Sequence, residues 1–341
     1  MPDSAVIALD AMGGDFGPEV VVPAAAKVVS RRNQLRIILV GDEATLRDCA
    51  QRHHIKLDDR ISIQHASEVV GMSDEPALAM RKKKDSSMRV AINLVQEGKA
   101  DAIVSAGNTG ALMATAKFVL KTLPGIGRPA ICTTIPSKDG HTHMLDLGAN
   151  VDCTAEHLFQ FAVMGSVMTE AIDSIEKPRV GLLNIGSEAM KGNAQVKAAD
   201  EYLVDAPLNY IGFVEGDDIY SDKVDVVVCD GFVGNISLKT AEGVARLIGY
   251  YMKQVFKKGL YNKLAGLIAL PVLNAFRKRI DPRAYNGASL LGLRGIVIKS
   301  HGGADVNAYA NAIEIALVEV NQSVPKQIQE HIQPLLQSKS A

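Results

Sequence analysis

Asp101-Ala-Ile-Val-Ser105 runs through Ala106-Gly-Asn-Thr-Gly110 into Ala111-Leu-Met-Ala-Thr-Ala-Lys-Phe-Val-Leu-Lys121. The first five residues are a short apolar run of the kind a buried strand shows, and the last eleven carry a helical pattern. A strand that turns through glycines straight into a helix leaves backbone N–H groups pointing beyond the sheet edge. There the positive end of the helix dipole favours an anion, phosphate above all. The same residues also fit a tight βα turn in which Gly107 and Gly110 only relieve steric strain. Either way the stretch is a βα unit, and the unit recurs on both sides of it.

Upstream, Ala5 to Asp10 reads as a strand followed by Ala11-Met-Gly-Gly-Asp-Phe-Gly-Pro18 and a helix to about Ser30. Leu35 to Gly41 is a second strand, with Asp42 placed to cap a helix beginning near Glu43. Arg60 to His65 alternates as a third strand. A polar segment from Ser67 to Ser87 contains Arg81-Lys-Lys-Lys84 and precedes a helix from Ser87 to Glu97. Downstream, strands are expected at Ala130 to Ile135, Thr142 to Asp146, Arg179 to Asn184, Leu208 to Phe213, Val224 to Cys229 and Gly295 to Ser300. Helices are expected from Thr154 to Ile172, after Asn193, and from Val306 to Asn321. Strands alternating with helices predict βαβ units and a mainly parallel sheet covered on both faces. With no linker or repeat, one α/β domain is expected over residues 1–341, and the polar tail after Ser338 is expected to fray.

Apolar residues make up 47% of the 341 and charged residues 22%, as in ordinary globular proteins. A formal net charge of -1 argues against nucleic acid as the partner of the whole chain. Cys49, Cys132, Cys153 and Cys229 lie far apart with no C-x-x-C pair, which indicates neither a zinc site nor a disulfide framework. Met1-Pro-Asp-Ser leads directly into a strand, and no apolar run is long enough to span a bilayer. The expectation is a cytoplasmic protein whose membrane contact, if any, is peripheral.

Residues 243–280 break the α/β pattern. They carry Arg246, Lys253, Lys257, Lys258, Lys263, Arg277, Lys278 and Arg279 and no acid. Leu260, Leu264, Leu267 and Ile268 fall on one helical face, and Pro271 is expected to interrupt or kink the helix. A basic amphipathic segment of this kind suits an anionic membrane. It suits equally a helical hairpin packed in the core or against a second subunit.

Five glycine-containing loops follow predicted strands: Met12 to Asp15, Ser105 to Gly110, Asn184 to Asn193, Asp230 to Asn235 and Ser300 to Asp305. In an open parallel sheet, ligands sit beyond the carboxyl ends of the strands. Asn108, Asn184, Asn193 and Asn235 offer amide donors and Lys191 a mobile positive charge. That inventory fits phosphate or an oxyanion better than a metal, for which no paired His and carboxylate spacing is evident. His141 and His143 share one face of a strand and read as a surface or packed pair. His301 is the better acid/base candidate, and Asp10, Asp15 and Asp230 either orient donors or cap turns. No loop matches G-x-G-x-x-G, G-x-S-x-G or a Walker sequence.

Together, Ala8 to Pro18, Ser105 to Ala111, Asp146-Leu-Gly-Ala-Asn150, Asn184-Ile-Gly-Ser-Glu188, Asp230-Gly-Phe-Val-Gly-Asn235 and His301-Gly-Gly-Ala-Asp305 resemble the acyl-carrier-protein:phosphate acyltransferases of bacterial phospholipid synthesis. The likeness runs nearly end to end, with no break in those motifs. It implies a Rossmann-like α/β/α sandwich related to phosphotransacetylases; the basic segment is expected to protrude from it as helix, and no cofactor is expected. It also implies transfer of a fatty acyl group from acyl carrier protein to inorganic phosphate, a homodimer, and loose membrane association where a glycerol-3-phosphate acyltransferase uses the product.

On that resemblance Gly107, Asn108, Thr109 and Gly110, with Asn184, Ser187, Lys191, Asn193, Gly302 and Gly303, are expected to bind phosphate. His301 or a neighbouring amide would polarise the carbonyl or assist the departing thiol, with Asp230 and Asn235 orienting. Leu260, Leu264, Leu267 and Ile268 are the expected membrane contact, and Arg81 to Lys84 or residues 243–280 the docking patch for the acidic carrier protein. A nicotinamide oxidoreductase and a non-catalytic lipid-sensing scaffold are the other readings.

Overall fold

A computed structural model describes residues 5–279 and 285–338; Ile280, the last residue of the basic stretch, and the tail after Ser338 lie outside the described residues. Eleven strands form one sheet in the order β3-β2-β1-β4-β11-β10-β5-β6-β9-β7-β8. The strands are β1 (Ala5–Asp10), β2 (Leu35–Gly41), β3 (Ile61–His65), β4 (Ala102–Ser105), β5 (Ala130–Pro136), β6 (His141–Leu145), β7 (Val180–Leu183), β8 (Tyr210–Val214), β9 (Val226–Val228), β10 (Ala288–Leu291) and β11 (Ile296–Lys299). Helices α1 (Pro18–Val29), α2 (Glu43–Arg52), α3 (Pro76–Lys82), α4 (Ser87–Gln96), α5 (Thr109–Leu120), α6 (Ala155–Asp173) and α7 (Ala194–Val204) occupy the connections. After β9 come α8 (Gly231–Lys257) and α9 (Gly259–Arg279), and α10 (Val306–Gln322) and α11 (Val324–Ser338) close the chain.

Burial explains the apolar runs. In β1, Ile7 and Leu9 face a core shared with α1, α2 and α10, while Ala8 faces the core under α4 and α5. The third core lies beneath α6 and α11, where Phe159, Phe161 and Met164 are buried. Each such side chain contributes about 1.5–3 kcal/mol when fully buried. Caps set the helix starts. Asp42 accepts from Thr45 N at 2.8 Å, and Thr154 and His157 exchange hydrogen bonds as a capping box.

Within each half of the sheet the strands run parallel, as expected. Between the halves β10 pairs antiparallel with both β11 and β5, and β5 pairs antiparallel with β6. Three reversals leave β6, β9, β7 and β8 running against β1 to β4 and β11. Their carboxyl ends therefore face the opposite edge of the sheet. The five glycine-containing loops do not share one strand-end edge, as a wholly parallel sheet would require.

Two local readings also change. Asp230 to Asn235 is not a loop, because Asp230 caps α8 by accepting from Val233 N at 2.8 Å. Its glycines serve close packing: a Cβ on Gly234 would overlap the carbonyl oxygen of Asp146, and one on Gly231 would lie 2.5 Å from that of Asn150. Helix α9 continues through Pro271 instead of ending there. The hairpin of α8 and α9 is not buried in the core. Leu260 is 85% exposed and Ile268 73%, with Leu264 and Leu267 also exposed. At 27 residues α8 is about 40 Å long, so most of it extends past the sheet. No helix among the described residues is long and apolar enough to cross a membrane.

Candidate active site

Three turns meet at the carboxyl ends of the neighbouring strands β1, β4 and β11. Asp10 ends β1 and is buried; Ser87 and Ser105 donate to its two oxygens, each at 2.6 Å. Gly107 N donates to Ser105 Oγ at 3.1 Å, tying the β4 turn to the same carboxylate. The β1 turn packs so tightly here that a Cβ on Gly13 would lie 2.5 Å from Asp10 Oδ2 and 2.9 Å from Gly107 N. Gly14, at φ +86°, takes a conformation that favours glycine, with Ala106 and Gly302 against it. Asp15 N donates to Gly302 O at 2.9 Å and Ser300 N to Ser105 O at 2.8 Å, closing the ring of three turns.

Lys299, the last residue of β11, is buried beneath these turns and donates to Ala106 O at 3.3 Å and to Ser300 O. Burial pushes its ammonium down to about 8, opposed by the charges of Asp10 and Asp15 and reinforced by Lys239 on α8. Burial likewise raises the Asp10 carboxyl, against the hydrogen bonds from Ser105, Ser87 and Met12 and the charge of Lys299. The base of the site is thus a desolvated acid and amine, both driven towards neutrality. A bound anion would favour the charged form of Lys299.

His301 lies exposed at the rim. Gly303 N donates to His301 Nδ1 at 3.0 Å, and His301 N donates to Asn286 Oδ1 at 2.9 Å. Asn286 in turn donates to Ser300 Oγ and Ala308 O, at 2.9 and 2.7 Å. With Nδ1 accepting, the neutral imidazole carries its proton on Nε2. It can donate to a carbonyl oxygen.

The Asn108 carboxamide is committed elsewhere. Its oxygen caps α5 through Ala111 N at 3.0 Å, and its Nδ2 donates to Met72 O and Asp74 O at 2.8 and 3.1 Å. It clamps the β4 turn to the segment before α3. The donors this turn presents are backbone groups: the N–H groups of Thr109 and Gly110 have no acceptor among the described residues.

The remaining expected residues sit at the carboxyl ends of the reversed strands. Asn193 caps α7 through Val196 N at 2.8 Å, and Asn184 Nδ2 reaches Lys191 O at 3.3 Å. Ser187 and Lys191 are exposed in the same β7–α7 turn. Asn235 is exposed on the second turn of α8, where a Cβ on Gly148 would lie 3.5 Å from it. Behind it buried Asp146 accepts from Ile131 N, Ala149 N and Asn150 N and Nδ2. The structure therefore unites His301, Gly302 and Gly303 with the Ser105–Gly110 turn. It places Asn184, Ser187, Lys191 and Asn193 in another turn, and Asp230 with Asn235 on α8.

Sequence reasoning missed Lys299, Ser87 and Asn286. Lys299 had a signal: a lysine closing the apolar run Ile296-Val-Ile directly before a glycine turn. None of the four thiols is a ready nucleophile. Burial raises Cys49, Cys132 and Cys229, and pushes Cys153 up to about 12.

Residues 5–327 match the family model described as fatty acid synthesis protein. The chain is 62% identical over 341 residues to the phosphate acyltransferase of Alkalilimnicola ehrlichii, covering 100% of each chain. It is 63% identical over 326 residues to that of Methylococcus capsulatus, covering 96% of each. A phosphotransacetylase from Streptococcus pyogenes has the same fold, with a TM-score of 0.65, 20% identity and 94% of each chain covered. The likeness read from the glycine motifs holds over the whole length, and neither the oxidoreductase nor the scaffold reading is favoured. This chain belongs to the fatty acid synthesis protein family, among its phosphate acyltransferases.

Proposed function

We propose that this acyltransferase moves a fatty acyl group from an acyl carrier protein thioester to inorganic phosphate, giving an acyl phosphate. The observation that carries the assignment of the site is the convergence of three turns over Asp10 and Lys299, with His301 at their rim. Phosphate is a nucleophile at neutral pH and needs no acyl-enzyme. Hydrogen phosphate attacks the thioester carbon, the C–O bond forms, the C–S bond breaks, and the phosphate proton passes to the departing thiolate. The chain's part is to hold the reactants and stabilise the tetrahedral oxyanion. Lys299 and the Thr109, Gly110 and Gly302 amides cradle phosphate, Gly303 fixes His301 through its own N–H, and His301 donates to the carbonyl oxygen. Asn108 acts by fixing its turn.

Exposed Lys191, with Asn184, Ser187 and Asn193, supplies a second anion-binding turn on this reading, and Asn235 with Asp230 orients substrate from α8. Lys191→Ala then raises the KM for phosphate; unchanged phosphate saturation removes Lys191 from the site. The chain works as one cytoplasmic α/β unit and a homodimer. Its exposed α8–α9 hairpin rests through Leu260, Leu264, Leu267 and Ile268 on an anionic membrane, close to a glycerol-3-phosphate acyltransferase that takes the product. Arg81 to Lys84 or the basic hairpin meets the carrier protein. Incubation with acyl carrier protein thioester and phosphate tests the assignment: hydroxylamine should trap an acyl hydroxamate, and none at any chain length would refute it.

A further inference from the structure

The pair His141 and His143 gains a third member in the fold. Both imidazoles lie on one face of β6, and Asp173, the last residue of α6, reaches them from 30 residues away. Asp173 Oδ2 meets His141 Nε2 at 2.9 Å and His143 Nε2 at 2.7 Å. The rings stand edge to face, 5.0 Å apart at 81°. His143 Nδ1 lies 3.3 Å from Thr134 Oγ1 on the neighbouring strand. That contact holds the ring by its far nitrogen and leaves Nε2 as its ligand atom, the role outer partners play in metal sites.

We propose that His141, His143 and Asp173 form a binding site for a divalent transition-metal ion of the zinc class. The three ligand atoms lie within 4.8 Å of one another. Tetrahedral zinc, with bonds of about 2.0–2.1 Å, spaces its ligands about 3.3 Å apart. The two carboxylate–imidazole separations, 2.9 and 2.7 Å, are within about 0.6 Å of that, so a metal fits with rotamer adjustments. Two imidazoles and one carboxylate suit zinc or cobalt and disfavour calcium and magnesium, which prefer oxygen alone. His143 is 5% exposed at the side chain and His141 34%, which buries the base of the site and opens one side to a water ligand. The ion would staple the β5–β6 hairpin to the end of α6.

A second triad, Glu19, Cys49 and His53, lacks this preparation. Glu19 is already paired with Arg52 at 2.6 Å, and the protonated Cys49 thiol points to Pro18 O at 3.4 Å. The test uses the untagged full chain after chelator treatment, titrated with ZnCl2 by calorimetry and with CoCl2 by visible absorption. One equivalent should bind, zinc should raise the melting temperature, and cobalt should show the d–d bands of a low-coordinate site. His141→Asn, at a half-exposed position, should weaken binding at least about tenfold, and Asp173→Asn should do the same. Cys49→Ser should change nothing. No binding by the wild-type chain, or binding that survives both ligand substitutions, would overturn the proposal.

Discussion

Gly303 donates its backbone N–H to Nδ1 of His301 at 3.0 Å, and that bond decides what the histidine can do. It leaves the proton on Nε2, at the rim of the three-turn site. His301→Gln retains a side-chain donor without the fixed aim and should lower kcat by about 10²–10³, the cost of losing one oxyanion donor. Phosphate KM should stay within about twofold. A variant with raised KM and normal kcat would make His301 a binding residue instead.

Lys299 couples activity to pH. Its folded pKa of about 8 lies below the usual 10.5, so the folded chain holds that proton less tightly than the unfolded chain. The penalty is complete below pH 8 and is relieved as pH rises from there to 10.5. Lys299→Met should therefore raise stability near pH 7 by about 1–2 kcal/mol, after loss of its hydrogen bonds, while weakening phosphate use. In the wild type, kcat/KM for phosphate should fall as pH rises through about 8. Denaturant melts and pH–rate profiles of both proteins check this; an alkaline limb that persists in Lys299→Met would assign it elsewhere.

Glu319 behaves in the opposite sense. It is buried on α10, accepts from Ser289 on β10, and is pushed by burial from 4.5 up to about 7. The folded chain holds this proton more tightly, so folding loses stability as pH rises from 4.5, and the loss is complete above about 7. Glu319→Gln should stabilise the protein more at pH 8 than at pH 5, by up to about 3 kcal/mol. Urea melts at the two pH values measure the difference, and an equal effect at both would remove Glu319 as its source.

The parts legible in the sequence are those whose cause is local. Apolar runs such as Ala5 to Asp10 and Leu35 to Gly41, and caps such as Asp42 and Thr154, define strands and helix starts by themselves. The reversal of half the sheet is not local. The antiparallel β5–β6 pair makes the turnover, because the two antiparallel pairings of β10 cancel. It joins the halves only where β10, a four-residue strand from far along the chain, is inserted between β5 and β11. The same limit applies to the site. Glycines mark the Ser105–Gly110 and His301–Gly303 turns, yet the commitment of Asn108 to Met72 and Asp74 appears only once α3 is in place. Lys299 looks like an edge residue until the turns above it bury its amine. Asp173 meets His143 across an entire helix.

The exposed faces of α8 and α9 carry the membrane proposal. Leu264→Glu and Leu267→Glu, at positions 57% and 64% exposed, should release the protein from anionic vesicles with the melting temperature held within about 2 °C. Co-sedimentation and thermal melts read the two outcomes. Vesicle binding that survives both changes would leave the hairpin to a second subunit or the carrier protein.

In the proposed reaction phosphate attacks the thioester directly, without an acyl-enzyme. Its most direct measurement is single-turnover thioester cleavage, with free thiol, acyl phosphate and intact protein mass followed together, with and without phosphate. Thiol and acyl phosphate should appear in equal amounts, neither should form when phosphate is omitted, and the protein mass should stay unchanged throughout. Thiol released without phosphate, together with a protein heavier by one acyl group, would contradict it.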